Sequence, residues 1–182
     1  LSEISFLESL ALIISSFLNF FKKNNTKFSV LFSDYHATQY KCIYARTTPS
    51  ARSALYCLLE SMNVGPGDEV IVTGYTCSAV PEAVIYRGAK PIYCDISIEN
   101  FSMNIDLITQ LISEKTKVII AQHTYGFALD MTELSRLTKE KDIYLIEDCA
   151  LSLGSRDSET LLGSYGDGAI FSFELSKTIS VG

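Results

Sequence analysis

The sequence predicts an α/β fold, a mostly parallel sheet with helices on both faces. Three observations lead there. Apolar runs of strand length recur from about Thr47 onward, stretches with helical spacing separate them, and most runs are continuously apolar rather than alternating. Continuous apolar runs suit strands buried on both faces, and helical crossovers between them imply parallel pairing.

The elements follow in order. Ser53 to Met62 carries Ala54, Leu55, Leu58, Leu59 and Met62 on one helical face, and GPGD (Gly65 to Asp68) is a turn. EVIVTG (Glu69 to Gly74) is a strand, followed by a helical stretch ending near Gly88 and a second strand, PIYCDI (Pro91 to Ile96). A helix from about Ile105 to Ile112 has Asn104 as its N-cap. KVIIAQH (Lys117 to His123) is a strand, and Asp130 with Glu133 forms a capping pair that opens a helix to about Lys141. DIYLIEDC (Asp142 to Cys149) and GAIFSF (Gly168 to Phe173) are the remaining strands.

With 47% hydrophobic and 20% charged residues and only four Pro among 182, the chain is neither disordered nor collagen-like, and its length suits one domain of ordinary size. A formal charge of −6 and no basic block beyond Lys22-Lys23 argue against nucleic acid as a partner. Cys42, Cys57, Cys77, Cys94 and Cys149 are odd in number and contain no CxxC pair, which speaks against a disulfide framework and a zinc site and for the reducing cytoplasm. The apolar stretch from Ile4 to Phe21 is near the lower length for a bilayer span, but Glu8, Asn19 and four Ser dilute it and its positive charges follow it. It reads as an amphipathic helix docked on the fold or on a second subunit, and a membrane contact is not expected.

In open parallel sheets, ligands bind outside the carboxyl ends of the strands. The polar residues there are Tyr75 and Thr76, Asp95, His123, Asp148 and the segment from Ser172 to Lys177, all candidates for one site. Asp148 closes an apolar strand, where an acid is costly to desolvate unless it meets a cation or donors, although a solvated strand end or helix cap would also place an acid there. Lys177 follows GAIFSF across a short link, where a neutral lysine could attack a carbonyl and a solvated surface lysine is the plain alternative. Arg52 and Ser53 stand where loop becomes helix, a place for a phosphate or for ordinary capping by Ser50 or Ser53. His123 fits packing or a supporting hydrogen bond as well as cofactor contact, and Cys77 and Cys149 read as small buried residues with no base beside them.

The order of SARSAL, VGPGDEVIV, YTCSAVPEAVIYRGAKPIYCDI, HTYGFALDM, IEDCALSLGS and GSYGDGAIFSFELSK, from about Thr47 to the end, resembles the DegT/DnrJ/StrS family of pyridoxal phosphate (PLP) dependent sugar aminotransferases, in the aspartate aminotransferase superfamily. The resemblance implies a PLP-transferase-like large domain over 47–182, incomplete and without the C-terminal small domain, preceded by a helical segment and lead-in over 1–46. It makes Lys177 the Schiff-base lysine and Asp148 the partner of the pyridinium nitrogen, with Arg52, Ser53 and Ser172 at phosphate-holding positions. Cys77 falls where the family commonly stacks an aromatic ring on the cofactor, with Tyr75 as a neighbour that could compensate, and Leu151 falls where it usually has a Gln or His bonded to the cofactor's phenolic oxygen. The implied reaction moves an amino group, usually from glutamate, to a keto group on a nucleotide-linked deoxysugar. Its product would enter a surface polysaccharide or a glycosylated natural product, and the full-length protein would be a homodimer. A Lys at 177 counts against the related dehydratases, which have His there. A non-catalytic protein binding PLP or a sugar nucleotide is the alternative, because the chain stops five residues after Lys177, as a fragment or a truncated gene product.

Overall fold

A computed structural model describes residues 25–177, 179 and 180. These fall into two compact units, one ending at Thr47 and the other beginning at Thr48. The first contains helix α1 (Asn25–Gln39). Phe28, Leu31 and Tyr35 lie at i, i+3 and i+7 on α1 and all three are exposed. The apolar stretch from Ile4 to Phe21 lies outside the described residues, and no helix among those described is long and apolar enough to cross a membrane.

The second unit carries a five-stranded sheet in the order β2-β1-β3-β4-β7, with every neighbouring pair parallel. Its strands are β1 (Glu69–Thr73), β2 (Lys90–Cys94), β3 (Thr116–Gln122), β4 (Tyr144–Asp148) and β7 (Gly168–Ile170). A separate two-stranded hairpin joins β5 (Arg156–Asp157) and β6 (Thr160–Leu161). The helices are α2 (Ala51–Ser61), α3 (Ala79–Tyr86), α4 (Ile105–Leu111) and α5 (Met131–Lys141).

Period-two alternation sorts the strands' side chains into two cores. Val70, Val72, Val118, Ile120, Ile146 and Ile170 pack with Leu55 and Leu59 of α2 and Val80, Ala83 and Val84 of α3. Ile71, Ile119, Ala121, Leu145 and Cys149 face the other way, against Ile108 of α4 and Met131, Leu134 and Leu137 of α5. Two layers of helices therefore sandwich the sheet, as the continuous apolar runs predict. Each fully buried Leu or Ile contributes about 1.5–3 kcal/mol.

Two of the predicted helix starts hold in detail, and the helix expected from Ser53 begins at Ala51. Asn104 caps α4 by accepting the Leu107 N–H, and Asp130 caps α5 by accepting the Glu133 N–H. Three expected strands are clearly shorter than their runs, of which the one expected over Asp142 to Cys149 spans only Tyr144–Asp148. The run from Pro91 to Ile96 leaves the sheet after Cys94, where Asp95 Oδ1 accepts the Ile96 N–H, and the run from Gly168 to Phe173 leaves it after Ile170.

Strand order fixes where ligands can go. β1 connects through α3 to β2 on one side, and the chain returns from β2 through α4, past β1, to β3 on the other side, so the strand order reverses between β1 and β3. Such a reversal opens a crevice at the carboxyl end of the sheet. α2 enters β1 at the amino end of that strand and packs against α3 and β7, so the start of α2 is directed toward the carboxyl end of the sheet.

Candidate active site

Asp148 is the last residue of β4 and is only 5% exposed. It shares the α2 side of the sheet with Ile146, two residues before it. Among the described residues its side chain accepts one hydrogen bond, from the Ala150 N–H to Oδ1 at 3.0 Å. Burial pushes its carboxyl above the ordinary value, and the Ala150 N–H, the His123 ring and the Lys177 ammonium pull the other way. A buried acid with one hydrogen-bond donor suits a cation beside it, and a protonated pyridine nitrogen is one.

Lys177 reaches the same edge by register. Asp148 pairs with Ile170, the last residue of β7, and the Cys149 N–H donates to the Ile170 carbonyl at 2.9 Å. The chain then runs through Ser172, half-buried, to Lys177, also half-buried, whose N–H donates to the Glu174 carbonyl in a tight turn. Ser172 and Lys177 thus follow the end of the strand that pairs with Asp148, and the Lys177 charge acts on the Asp148 carboxyl.

At the start of α2, Ser50 is the N-cap, its Oγ accepting the Ser53 N–H at 3.2 Å and lying 3.0 Å from Ser53 Oγ. Arg52 forms an ion pair with Glu82 of α3 at 3.0 Å, with both side chains substantially exposed. The helix start and two hydroxyls suit an anion, and Arg52 would exchange Glu82 for it.

The remaining expectations separate. Asp95 does not join the group: it follows β2, three strand spacings or about 14 Å from β4, and holds its own loop by accepting the Asn104 N–H on its carbonyl. Tyr75 and Thr76 bridge the β1–β3 crevice. The Tyr75 hydroxyl lies 2.9 Å from that of Tyr125, Thr76 bonds the Gln122 side chain, and Gln122 Nε2 donates to the Tyr75 carbonyl at 3.1 Å. Cys77 is exposed, not buried as its residue type suggests, and Leu151 is 42% exposed. Cys149 is buried, and its thiol is pushed well up by burial and by the neighbouring Glu147 and Asp148, so it is no nucleophile.

Sequence reasoning missed Glu147, which is fully buried on the α5 side of the sheet. Its Oε1 accepts the N–H groups of Tyr165 at 2.7 Å and Gly166 at 2.9 Å, and its Oε2 accepts that of Gly163 at 2.7 Å. His123, also fully buried, completes the set at 3.0 Å from Oε2, and because a carboxylate only accepts, its Nε2 carries the hydrogen. Cys149 lies close to both, so the trio could be mistaken for a metal site. All the capacity of Glu147 is taken by N–H donors, which makes the trio a hydrogen-bonded core. The signal was the paired acids in YLIED: adjacent strand residues face opposite sides, so one of them had to point into the sheet's far face.

The chain matches the DegT/DnrJ/EryC1/StrS aminotransferase family over residues 7–182. It is 37% identical over 169 residues to the GDP-perosamine synthase of Escherichia coli O157:H7, covering 93% of this chain and 44% of that protein. Its structure superposes on an aminotransferase from Psychrobacter cryohalolentis with a TM-score of 0.87 at 27% identity, over 100% of this chain and 46% of the other. A second solved relative, Spr1654 of Streptococcus pneumoniae in its PLP form, has a TM-score of 0.69 at 36% identity over 72% of this chain and 37% of that one.

The chain belongs to the DegT/DnrJ/EryC1/StrS aminotransferase family, whose members are PLP-dependent. It spans less than half the length of these relatives.

Proposed function

We propose that the protein is a PLP-dependent aminotransferase that moves an amino group, from glutamate, onto the keto carbon of a nucleotide-linked deoxysugar. The observation that supports this most directly is a desolvated carboxylate, Asp148, paired in register with the strand that delivers Lys177, in a chain of this family. PLP, when bound, supplies an electron sink for the pair left as a Cα–H bond breaks.

In this reading each residue has its own task. Asp148 keeps a proton on the pyridine nitrogen, because a buried carboxylate with few donors is stabilised by a cation beside it. Lys177 Nζ would hold the cofactor's aldehyde carbon and would carry the proton to and from the substrate Cα. The start of α2, with Ser53 and Arg52, and Ser172 would hold the phosphate. The nucleotide part of the sugar substrate orients the keto carbon from a distance. A homodimer in the cytoplasm completes the proposal, on the resemblance and on the cysteine usage.

A non-catalytic binding role is the second reading, favoured by Leu151 and Cys77. An exposed leucine supplies no hydrogen bond where the family has Gln or His, and a thiol does not stack. Incubating the full-length protein with PLP and glutamate separates the two. Release of 2-oxoglutarate with conversion of the cofactor to pyridoxamine phosphate is expected. A PLP-loaded protein inert to a panel of amino donors would favour the binding role.

A further inference from the structure

β7 is three residues long, pairs with β4 over those three positions, and carries the chain on to Ser172 and Lys177. A slip of one residue in that pairing would turn every following side chain to the opposite face.

We propose that Glu147 is a positioning residue that pins β7 in register, and so sets Lys177 against Asp148. The proposal rests on the reading that these two residues serve one cofactor. Glu147 collects the N–H groups of Gly163, Tyr165 and Gly166, in the segment immediately before β7. At the next residue, the Asp167 N–H donates to the Leu145 carbonyl and Asp167 Oδ2 accepts the Leu145 N–H, both at 2.8 Å. The segment is therefore tied to β4 at Leu145 and Glu147 before the ladder from Gly168 to Ile170 begins. Bonds to an ionised acceptor are about twice as strong as neutral ones, and a fully buried carboxylate with four donors has no looser arrangement available. Adjacent carboxylates on β4 thus divide the work: Asp148 faces the α2 side and the site, and Glu147 faces the α5 side and holds the lysine's strand.

Glu147→Gln in the full-length protein tests this. An amide has one acceptor oxygen, and whichever way it turns, its NH2 group opposes two N–H donors. The variant is expected to fold by circular dichroism and still to take up PLP at Asp148 and the start of α2, while borohydride fixation of PLP at Lys177 slows by about tenfold or more, as a misplacement near 1 Å would cause. Hydrogen exchange in residues 162–167 is expected to accelerate. Leu134→Ala, a cavity in the same core, controls for loss of stability and should leave fixation unchanged. Fixation at the wild-type rate in Glu147→Gln, or an equal loss in Leu134→Ala, would overturn the proposal. No fixation in wild type would instead overturn the cofactor reading, and slow exchange of residues 162–167 would still report the pin. Should Glu147→Gln not fold, exchange in wild type decides: protection of 162–167 equal to that of β4 supports the pin, and rapid exchange refutes it.

Discussion

A methyl group at residue 166 has no space. A Cβ on Gly166 would lie 2.5 Å from the Leu145 carbonyl oxygen, 3.2 Å from its carbon and 3.3 Å from the Gly168 oxygen, all backbone atoms of paired strands that do not rotate away. Reaching ordinary contact at 3.4 Å needs a retreat of about 0.9 Å. The same movement would lengthen the Gly166 and Tyr165 N–H bonds to Glu147 from 2.9 and 2.7 Å to about 3.8 and 3.6 Å, outside hydrogen-bond range. Two charge-assisted bonds at roughly 1.5–3 kcal/mol each put the cost of Gly166→Ala at about 3–6 kcal/mol. At about 2–4 °C per kcal/mol, the melting temperature of this unit falls by about 6–24 °C. A melt followed by far-UV circular dichroism measures it, with Gly154→Ala as control. That Gly has nothing within 4 Å of its Cβ position and only a left-handed φ of +79°, for a cost of about 1 kcal/mol. Equal melting shifts for the two variants, or a shift under about 2 °C for Gly166→Ala, would refute the steric reasoning.

Three further outcomes follow from the site. Burial raises the Asp148 carboxyl above its ordinary 3.8, so the folded chain holds this proton more tightly than the unfolded one. The stability it contributes is full below pH 3.8 and lost as pH rises through the raised value. Asp148→Asn therefore stabilises the cofactor-free protein at pH 7 and leaves it unchanged at pH 3, in thermal melts, while removing most turnover; destabilisation at pH 7 would contradict the burial argument. Lys177→Ala retains a folded chain and loses covalent PLP, checked by mass spectrometry. Because Arg52 and Glu82 are paired on the surface, Glu82→Gln changes stability by less than about 1 kcal/mol. It should tighten PLP binding by releasing Arg52 for the phosphate, whereas Arg52→Ala weakens binding about tenfold, both read by spectroscopic titration.

Much of this fold is legible in the sequence because its strands are buried on both faces. Continuous runs such as VIIA (Val118 to Ala121) have no other comfortable place, and caps such as Asn104 and Asp130 mark the helices between them. Parallel pairing then places Asp148 and the start of the segment that leads to Lys177 at one edge of the sheet. Strand order is not written in local pattern, which is why Asp95 looks equivalent to Asp148 until β2 is found at the far edge of the sheet. The hairpin of β5 and β6 has strands of two residues, too short for alternation to register. Helix α1 was hidden for another reason: Phe28, Leu31 and Tyr35 are exposed, so its pattern does not track burial within the chain. Glu147 escaped because an acid on an apolar strand suggests a strand end, and only the backbone amides of a loop sixteen to nineteen residues later show what it binds.

The central claim is that Lys177 and Asp148 hold one PLP between them. Borohydride reduction of the PLP-treated full-length protein, followed by peptide mass mapping, tests it most directly. A pyridoxyl adduct at Lys177, lost in Lys177→Ala and diminished in Asp148→Asn, is the predicted result. A folded protein that carries its adduct on another lysine, or carries none, would contradict the account.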